Sequence, residues 1–157
     1  MLFATLLLFW TMLMGSMQSD SLLVGALASL VIALLYRSGL SFFTEFRATP
    51  KAILAGLAFF AHFLQELVRA NLRLARIVLS PGLPIRPGIV KVRTGLKSRM
   101  GRLLLANSIT LTPGTLTVEI EGEWLYVHWV QVEREDIDFA TAKIVAGFER
   151  YLEVMYG

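Results

Sequence analysis

The stretch Leu104 to Val130, LLANSITLTPGTLTVEIEGEWLYVHWV, governs the second half of the chain, because an apolar helical sequence changes here into one that must form strands in water. Leu103 to Ala106 end a helical run, and Asn107-Ser108 supplies short polar side chains that compete with helix hydrogen bonds. The segment Thr112-Pro113-Gly114-Thr115 predicts a type II turn, since proline presets φ at the second position and glycine accepts positive φ at the third.

Two strands are predicted after this turn. Residues 115–121 alternate, with Leu116, Val118 and Ile120 apolar and polar residues between them, which is the pattern of a strand with one buried face. Residues 124–130 are nearly all apolar or aromatic, which predicts a returning strand covered on both faces. The stretch therefore predicts a hairpin entered through a Pro-Gly turn.

The intact run NSITLTPGT, followed by a strand and LYVHW at residues 125–129, resembles the signature of the E subunit of Mrp-type multisubunit Na⁺/H⁺ (cation/proton) antiporters. The resemblance covers residues 101–130 in detail and the first half of the chain only in hydropathy and length. It implies a protein that is needed for assembly with other antiporter subunits, with a contribution to the cation path as a further expectation. The motif residues, for which a helix exit and a turn are the first explanation, are Asn107, Ser108, Thr110, Thr112, Pro113, Gly114 and Thr115.

Composition indicates a membrane protein with a water-soluble part. The 157 residues are 55% hydrophobic and 17% charged, whereas soluble domains carry about 25% charged residues. The excess of apolar residues lies in the first half. There is no cysteine, and the two histidines stand outside any cluster at ligand spacing, so we predict neither a metal site nor a cofactor.

Charge is unevenly distributed. Residues 1–80 contain six Lys/Arg and three acidic residues, and residues 81–157 contain nine of each, with the basic ones first. A nucleic-acid-binding domain would need one continuous basic face with interleaved aromatic residues, which is absent. Basic residues next to a hydrophobic half are better explained by anionic lipid headgroups, so we predict a lipid bilayer and no nucleic acid as partner.

Three transmembrane helices are predicted in residues 1–80, at about 2–17, 22–36 and 51–79. The first lacks the basic region and the cleavage site of a signal peptide, which favours a retained helix. Small residues in the second, such as Gly25 and Ser29, allow close helix packing in lipid. The third is apolar apart from His62 as far as Leu64 and amphipathic beyond it, with its arginines at the headgroups.

The positive-inside rule predicts a multi-pass protein of the cell (plasma or inner) membrane with a cytoplasmic C-terminal domain. The basic residues at the end of the third helix, Arg69, Arg73 and Arg76, together with those behind them, outnumber the basic residues before it. Three spans, however, leave Arg37, Arg47 and Lys51 on the outer side, which the rule disfavours. The Pro/Gly-rich segment 81–88 is the predicted domain boundary. Residues 89–157 then predict a small α+β domain of order βαββα, which resembles a ferredoxin-like unit without its final strand; Asp136 is the expected N-cap of the last helix.

His62 and Glu66 lie four residues apart on one face of the third helix. An ionisable group in a membrane helix is costly, which makes this pair a candidate proton or cation path. The alternative is that Glu66 pairs with Arg69 one turn on, with His62 hydrogen-bonded to a neighbouring subunit. Arg69, Arg73 and Arg76 are predicted to be a basic stripe at the membrane interface.

Catalytic residues are not predicted, because His128 has neither a nucleophile nor an orienting carboxylate at a recognisable spacing. We predict a non-catalytic subunit of a cation/proton antiporter that binds no small-molecule substrate alone. A stand-alone membrane-anchored scaffold, which recruits a cytoplasmic partner through an exposed sheet edge, is the alternative from another class.

Overall fold

The computed structural model describes residues 2–15, 18–36 and 45–157. The chain divides into two compact units, residues 1–44 and residues 45–157. The first unit holds the helices α1 (Leu2–Met14) and α2 (Ser19–Leu35). Arg37, which three spans would leave on the outer side, lies outside the described residues.

α1 and α2 pack against each other as a helical hairpin. The Trp10 indole N–H donates to the Ser21 carbonyl over 3.0 Å, and the indole ring lies against Gly25, where a side chain would collide with it. Small residues thus let the helices approach closely. With 13 and 17 residues, both helices are shorter than the roughly 20 residues of a typical span, so three transmembrane helices are not confirmed.

α3 (Pro50–Leu79) is, among the described helices, the one long and apolar enough to cross a membrane by length and composition. The Thr49 side chain caps its start by accepting from the Ala52 N–H over 3.1 Å. One side of α3 packs against the core of the second unit through Ala55, Phe59 and Phe63. Hydropathy groups this helix with the first two, whereas its contacts put it in the same compact unit as the sheet.

The second unit contains a three-stranded antiparallel sheet in the order β1-β3-β2. The strands are β1 (Gly88–Arg93), β2 (Thr115–Glu121) and β3 (Trp124–Trp129). Helix α4 (Arg99–Leu111) connects β1 to β2, so the element order after α3 begins as the predicted βαββ. The remaining helices are α5 (Ile137–Ile144) and α6 (Ala146–Tyr156).

The core lies between one face of the sheet and the helices. Leu125, Val127 and Trp129 of β3 point into it, and their neighbours in the β1 register, Val92 and Val90, point the same way. The helices contribute Leu105 and Ile109 from α4 and Phe148 and Leu152 from α6.

The prediction for β2 is wrong in its direction for the part of the strand before residue 119. Leu116 and Val118 are exposed, while the threonines at 115 and 117 are half-buried; Ile120 is 40% exposed although it pairs with the buried Leu125. The reason is that the threonine hydroxyls are used by α4: Thr117 donates to the Ala106 carbonyl over 3.1 Å. A bulge between Thr117 and Glu119 also interrupts the alternation.

Two further expectations need correction. Asn107-Ser108 does not end α4, which continues to Leu111, because the Ser108 hydroxyl bonds back to the Leu104 carbonyl and so stays compatible with the helix. β3 is covered on one face only, since Trp124, Tyr126 and His128 stay half-exposed on the opposite face.

The last helix is broken into α5 and α6 at Val145, although the apolar spacing predicts one continuous helix. Its start is as predicted: the Asp136 carboxylate accepts from the Phe139 N–H over 2.8 Å. Val145 is fully buried, and its own N–H still bonds to the Thr141 carbonyl, so the break redirects the chain without leaving this donor unpaired.

Glu45 ties the segment before α3 to the start of α4. Its carboxylate accepts hydrogen bonds from the Ser98 hydroxyl and from the Met100 backbone N–H, the latter over 3.1 Å. These donors favour the charged form and lower the pKa of Glu45 below its ordinary value of 4.5. The Arg47 N–H also donates to the Met155 carbonyl over 2.9 Å, so this segment is bound to α6 as well.

Replacing Glu45 with glutamine should destabilise the second unit at neutral pH and have little effect in acid. A carboxyl group whose pKa is lower in the folded chain stabilises the fold above its unfolded pKa, and this contribution is lost as the pH falls through the folded pKa. The difference in melting temperature between the natural chain and Glu45→Gln should therefore shrink below about pH 4.5. A difference that stays constant on acidification would contradict this role.

Candidate functional site: a basic cavity beside the third helix

A cavity of about 430 Å³ lies within the second unit, between α3 and the end of the sheet. α3 lines it with His62, Glu66, Arg69 and Arg73, and the turn of residues 112–115 forms another wall. The fold thus brings together residues that the sequence analysis identifies separately. They are the pair His62 and Glu66, the arginines Arg69 and Arg73 of the basic stripe, and residues 112–115 of the family motif. Arg76, the third basic residue, does not line the cavity.

The cavity is predominantly basic. Nη1 of Arg69 lies 2.9 Å from Oε1 of Glu66, so the alternative interpretation of Glu66 as an ion-pair partner is the arrangement observed. Among the described lining residues Glu66 is the one carboxylate, and no described carboxylate forms an ion pair with Arg73. Such a surface favours anionic groups or acidic segments and is poorly suited to holding a bare cation.

His62 lies where α3 meets α6. Its ring contacts the rings of Phe148 and Tyr151, with centroid separations of 5.3 and 5.6 Å. Gly147 permits this approach, because a Cβ atom there would lie 2.8 Å from Nε2 of His62. His62 is therefore packed among aromatic rings at one end of the cavity, with Glu66 one turn further along the same wall.

Hydroxyl groups of the motif bond to backbone carbonyls at the end of α4. The Ser108 hydroxyl donates to the Leu104 carbonyl over 2.7 Å, and the Thr112 hydroxyl donates to the Ser108 carbonyl over 2.8 Å. The Thr115 hydroxyl donates to the carbonyls of Ile109 and Thr112, over 2.7 and 2.9 Å. Carbonyls in the last turn of a helix lack helical partners, so several of these bonds satisfy groups that would otherwise need water.

The motif also joins α4 to β2. The Thr110 hydroxyl accepts from the Thr117 N–H over 3.1 Å, and the Gly114 carbonyl accepts from the Val130 N–H over 2.9 Å. Asn107 is exposed. These contacts support a structural role for the motif: it closes the end of a helix and thereby builds one wall of the cavity.

Gly114 makes the turn possible. Its φ is +95°, and the Thr115 N–H donates to the Thr112 carbonyl over 3.2 Å, as the predicted type II turn requires. Gly114→Ala should cost about 1–3 kcal/mol of stability in thermal or denaturant unfolding, because alanine is strained at this φ. Gly82→Ala is the matched control, since both glycines have open space around them but Gly82 has no positive φ. Equal losses in the two variants would contradict the explanation.

Two polar residues of the cavity wall, Lys143 and Gln131, are not identifiable as site residues from the sequence. Lys143 lies off the apolar stripe of the last helix and pairs with Glu133, with Nζ 3.2 Å from Oε1. Oε1 of Gln131 is buried and has no hydrogen-bond partner among the described residues. The helical period suggests that Lys143 is exposed, but nothing in the sequence indicates that either residue meets α3.

Comparison with known proteins identifies the family. A family model described as "Na+/H+ ion antiporter subunit" matches residues 3–155. The chain belongs to the E subunit family of Na⁺/H⁺ antiporters. It is 33% identical over 129 residues to the Na(+)/H(+) antiporter E subunit of Alkalihalophilus pseudofirmus, covering 81% of this chain and 79% of the relative, and 32% identical over 147 residues to that of Bacillus subtilis, covering 92% and 89%.

A solved structure is similar across nearly the whole of this antiporter E subunit. It is a chain of the membrane-bound sulfane sulfur reductase, an archaeal respiratory membrane complex, with 38% identity and a TM-score of 0.68; 98% of this chain and 95% of that chain are covered. The resemblance carried by NSITLTPGT is thus confirmed. Members of the family are membrane antiporter subunits, and the partners of this chain are other subunits of such a complex.

Proposed function

We propose that this chain is a non-catalytic integral membrane subunit of a multisubunit Na⁺/H⁺ antiporter, needed for assembly of the complex, with its second unit in the cytoplasm. The family match over residues 3–155 carries the proposal. The second unit, a three-stranded antiparallel sheet with helices, would present a folded domain beside the membrane. Family membership disfavours the stand-alone scaffold.

Exposed apolar surface supports a role in assembly. α1 has no buried residue, and its exposed side chains include Leu8, Phe9, Met12 and Leu13. Contiguous apolar surface of this kind requires lipid or another subunit around it. By contrast, the described residues contain no group of three or more His, Asp or Glu side chains that could hold a metal ion. The described part of the chain therefore offers much apolar surface for contacts with lipid or other subunits.

Deletion of the chain tests the assembly role. Membrane vesicles from cells that lack it should lose Na⁺-driven proton movement, and the remaining subunits should no longer co-purify as one complex. The purified chain in liposomes should exchange no ions. Ion exchange by the isolated chain, or an intact and active complex without it, would refute the proposal.

A contribution to the cation path is a second candidate function, favoured by one observation: His62 and Glu66 line the same cavity. The ion pair between Glu66 and Arg69 opposes it, because it occupies the carboxylate. We expect Glu66→Gln in the assembled complex to retain Na⁺-driven proton flux, as the similar size of the glutamine side chain preserves packing. A severe loss of flux in a complex that still assembles would establish the path instead.

A further inference from the structure

α3 has two apolar faces rather than one. The first face packs against the second unit through Ala55, Phe59 and Phe63. The second lies on the opposite side of the helix, faces away from the core and recurs at intervals of three or four residues along most of its length. We call it the outer stripe; its exposed members are Ile53, Leu57, Phe60, Leu64, Val68, Leu72 and Leu79.

Contacts with the second unit extend along α3. In its first half, Gly56 lies against Met155, and the ring of Phe59 packs edge-on to that of Phe148 at 6.2 Å. In its second half, Leu74 and Ile77 line the cavity whose other walls come from the sheet and α5. The helix is thus packed on α6 in its first half and borders the cavity of the same compact unit in its second half.

This attachment is incompatible with crossing a bilayer. A span would need the apolar first half of α3 in the hydrocarbon, and α6 runs beside that half. α6 carries Glu149, Arg150 and Glu153, of which the last two are exposed. Charged side chains and their domain would then have to enter the hydrocarbon, which is highly unfavourable.

The positions of the basic residues on α3 also favour a helix that lies on the membrane surface. Lys51, Arg69 and Arg76 share one flank of α3 between the two apolar faces, as their spacings of 18 and 7 residues are close to whole numbers of helical turns. A basic flank beside an apolar stripe is typical of helices that lie in the headgroup region of anionic membranes. The basic residues on both sides of the helix would also lie on the same side of the membrane, which removes the conflict with the positive-inside rule.

We propose that α3 does not cross the membrane but lies along its cytoplasmic surface, with the outer stripe inserted between anionic phospholipids. This replaces the predicted third span, residues 51–79, by a surface helix of about 45 Å. The cytoplasmic side is taken from the proposed function. The lipid contact itself is independent of whether the subunit serves assembly or ion movement.

A surface helix has both ends on the same side of the membrane, whereas a transmembrane helix has them on opposite sides. Labelling the two ends of α3 therefore distinguishes the two arrangements. The sequence contains no cysteine, so Ala48→Cys and Gly82→Cys each introduce one reactive thiol. Within the complete complex, a membrane-impermeant maleimide should label both variants in inside-out vesicles and neither in intact cells. With α1 and α2 as the two spans, Ser19→Cys at the start of α2 should be labelled from outside, whereas a transmembrane α3 would place it on the inner side. Labelling of Ala48→Cys from outside and Gly82→Cys from inside would overturn the proposal.

Fluorescence quenching identifies what covers the outer stripe. A fluorophore attached to Leu64→Cys, in the reconstituted complex with phosphatidylethanolamine and phosphatidylglycerol, should be quenched several-fold more by nitroxide lipids than one on Glu153→Cys. Nitroxides near the headgroup should quench it more than nitroxides near the chain end. Stronger quenching by the deep nitroxide would indicate a span, and no lipid quenching would indicate a partner subunit on the stripe; either result overturns the proposal.

Antiport measured in the same vesicles separates this inference from the proposed function. The Ser19→Cys, Ala48→Cys, Gly82→Cys and Glu153→Cys variants, whose residues lie outside the outer stripe, should retain Na⁺-driven proton flux, which shows that the complex is assembled. A subunit that proves dispensable for transport while both ends of α3 stay cytoplasmic would refute the assembly role and leave the surface helix standing. A transmembrane α3 in a subunit that is needed for transport would refute the surface helix and leave the assembly role standing.

Discussion

Phe148→Ala should destabilise the second unit by about 3–5 kcal/mol, because it removes a buried aromatic side chain that joins two parts of the structure. Phe148 is 5% exposed in the core and packs against Phe59 and His62 of α3, with ring centroids 6.2 and 5.3 Å away. The cavity left by alanine would therefore loosen both the core and the attachment of α3. Denaturant unfolding of the full chain in detergent, followed by tryptophan fluorescence, measures the effect.

Phe60→Ala is the matched control for this variant. Phe60 is the same residue type on the same helix as Phe59, but it is 59% exposed and belongs to the outer stripe. Its replacement should change the free energy of unfolding in detergent by about 0.5 kcal/mol or less, as is usual for surface positions. Similar losses in the two variants would show that α3 is not held by α6 in the way described.

Leu125→Asp should prevent the second unit from folding, with a loss of more than about 4 kcal/mol. Leu125 is fully buried in the central strand β3, with Val92 and Ile120 beside it in the register. A carboxylate here would be buried without a partner, which costs far more than the lost packing. Loss of the folded domain should appear as loss of cooperative unfolding and as rapid proteolysis in membranes.

Leu116→Asp is the control, and it also tests the corrected direction of β2. Leu116 is 49% exposed and faces the outer side of the sheet, opposite His128. The substitution should be tolerated within about 0.5 kcal/mol in the isolated chain. A loss as severe as that of Leu125→Asp would restore the sequence-based prediction that Leu116 points into the core.

Much of the local structure can be predicted from sequence because neighbouring residues specify it. The Pro-Gly turn forms as predicted, since only glycine tolerates φ of +95° without strain at position 114. Asp136 caps its helix, and the strands at 115–121 and 124–129 lie where the patterns indicate. The family, too, is recognisable from nine consecutive residues.

The candidate site is predictable only in pieces. His62, Glu66, Arg69 and Arg73 are each identifiable from helix spacing, and the turn at 112–115 from its own motif. That these groups line one cavity depends on how α3 docks, which no local pattern encodes. Lys143 and Gln131 reach the same cavity from α5 and from the end of β3, so no spacing rule connects them to α3.

Sequence alone thus specifies the turns, the caps, the order of helices and strands, and the family, because each depends on residues close together in the chain. Tertiary structure decides which face of β2 is buried, since alternation distinguishes two faces and the carbonyls of α4 select the threonine one. It also decides the surroundings of α3. An apolar side chain gains similarly from a protein core and from lipid, so hydropathy cannot tell one from the other, and only the packing of α3 on α6 separates its two apolar faces.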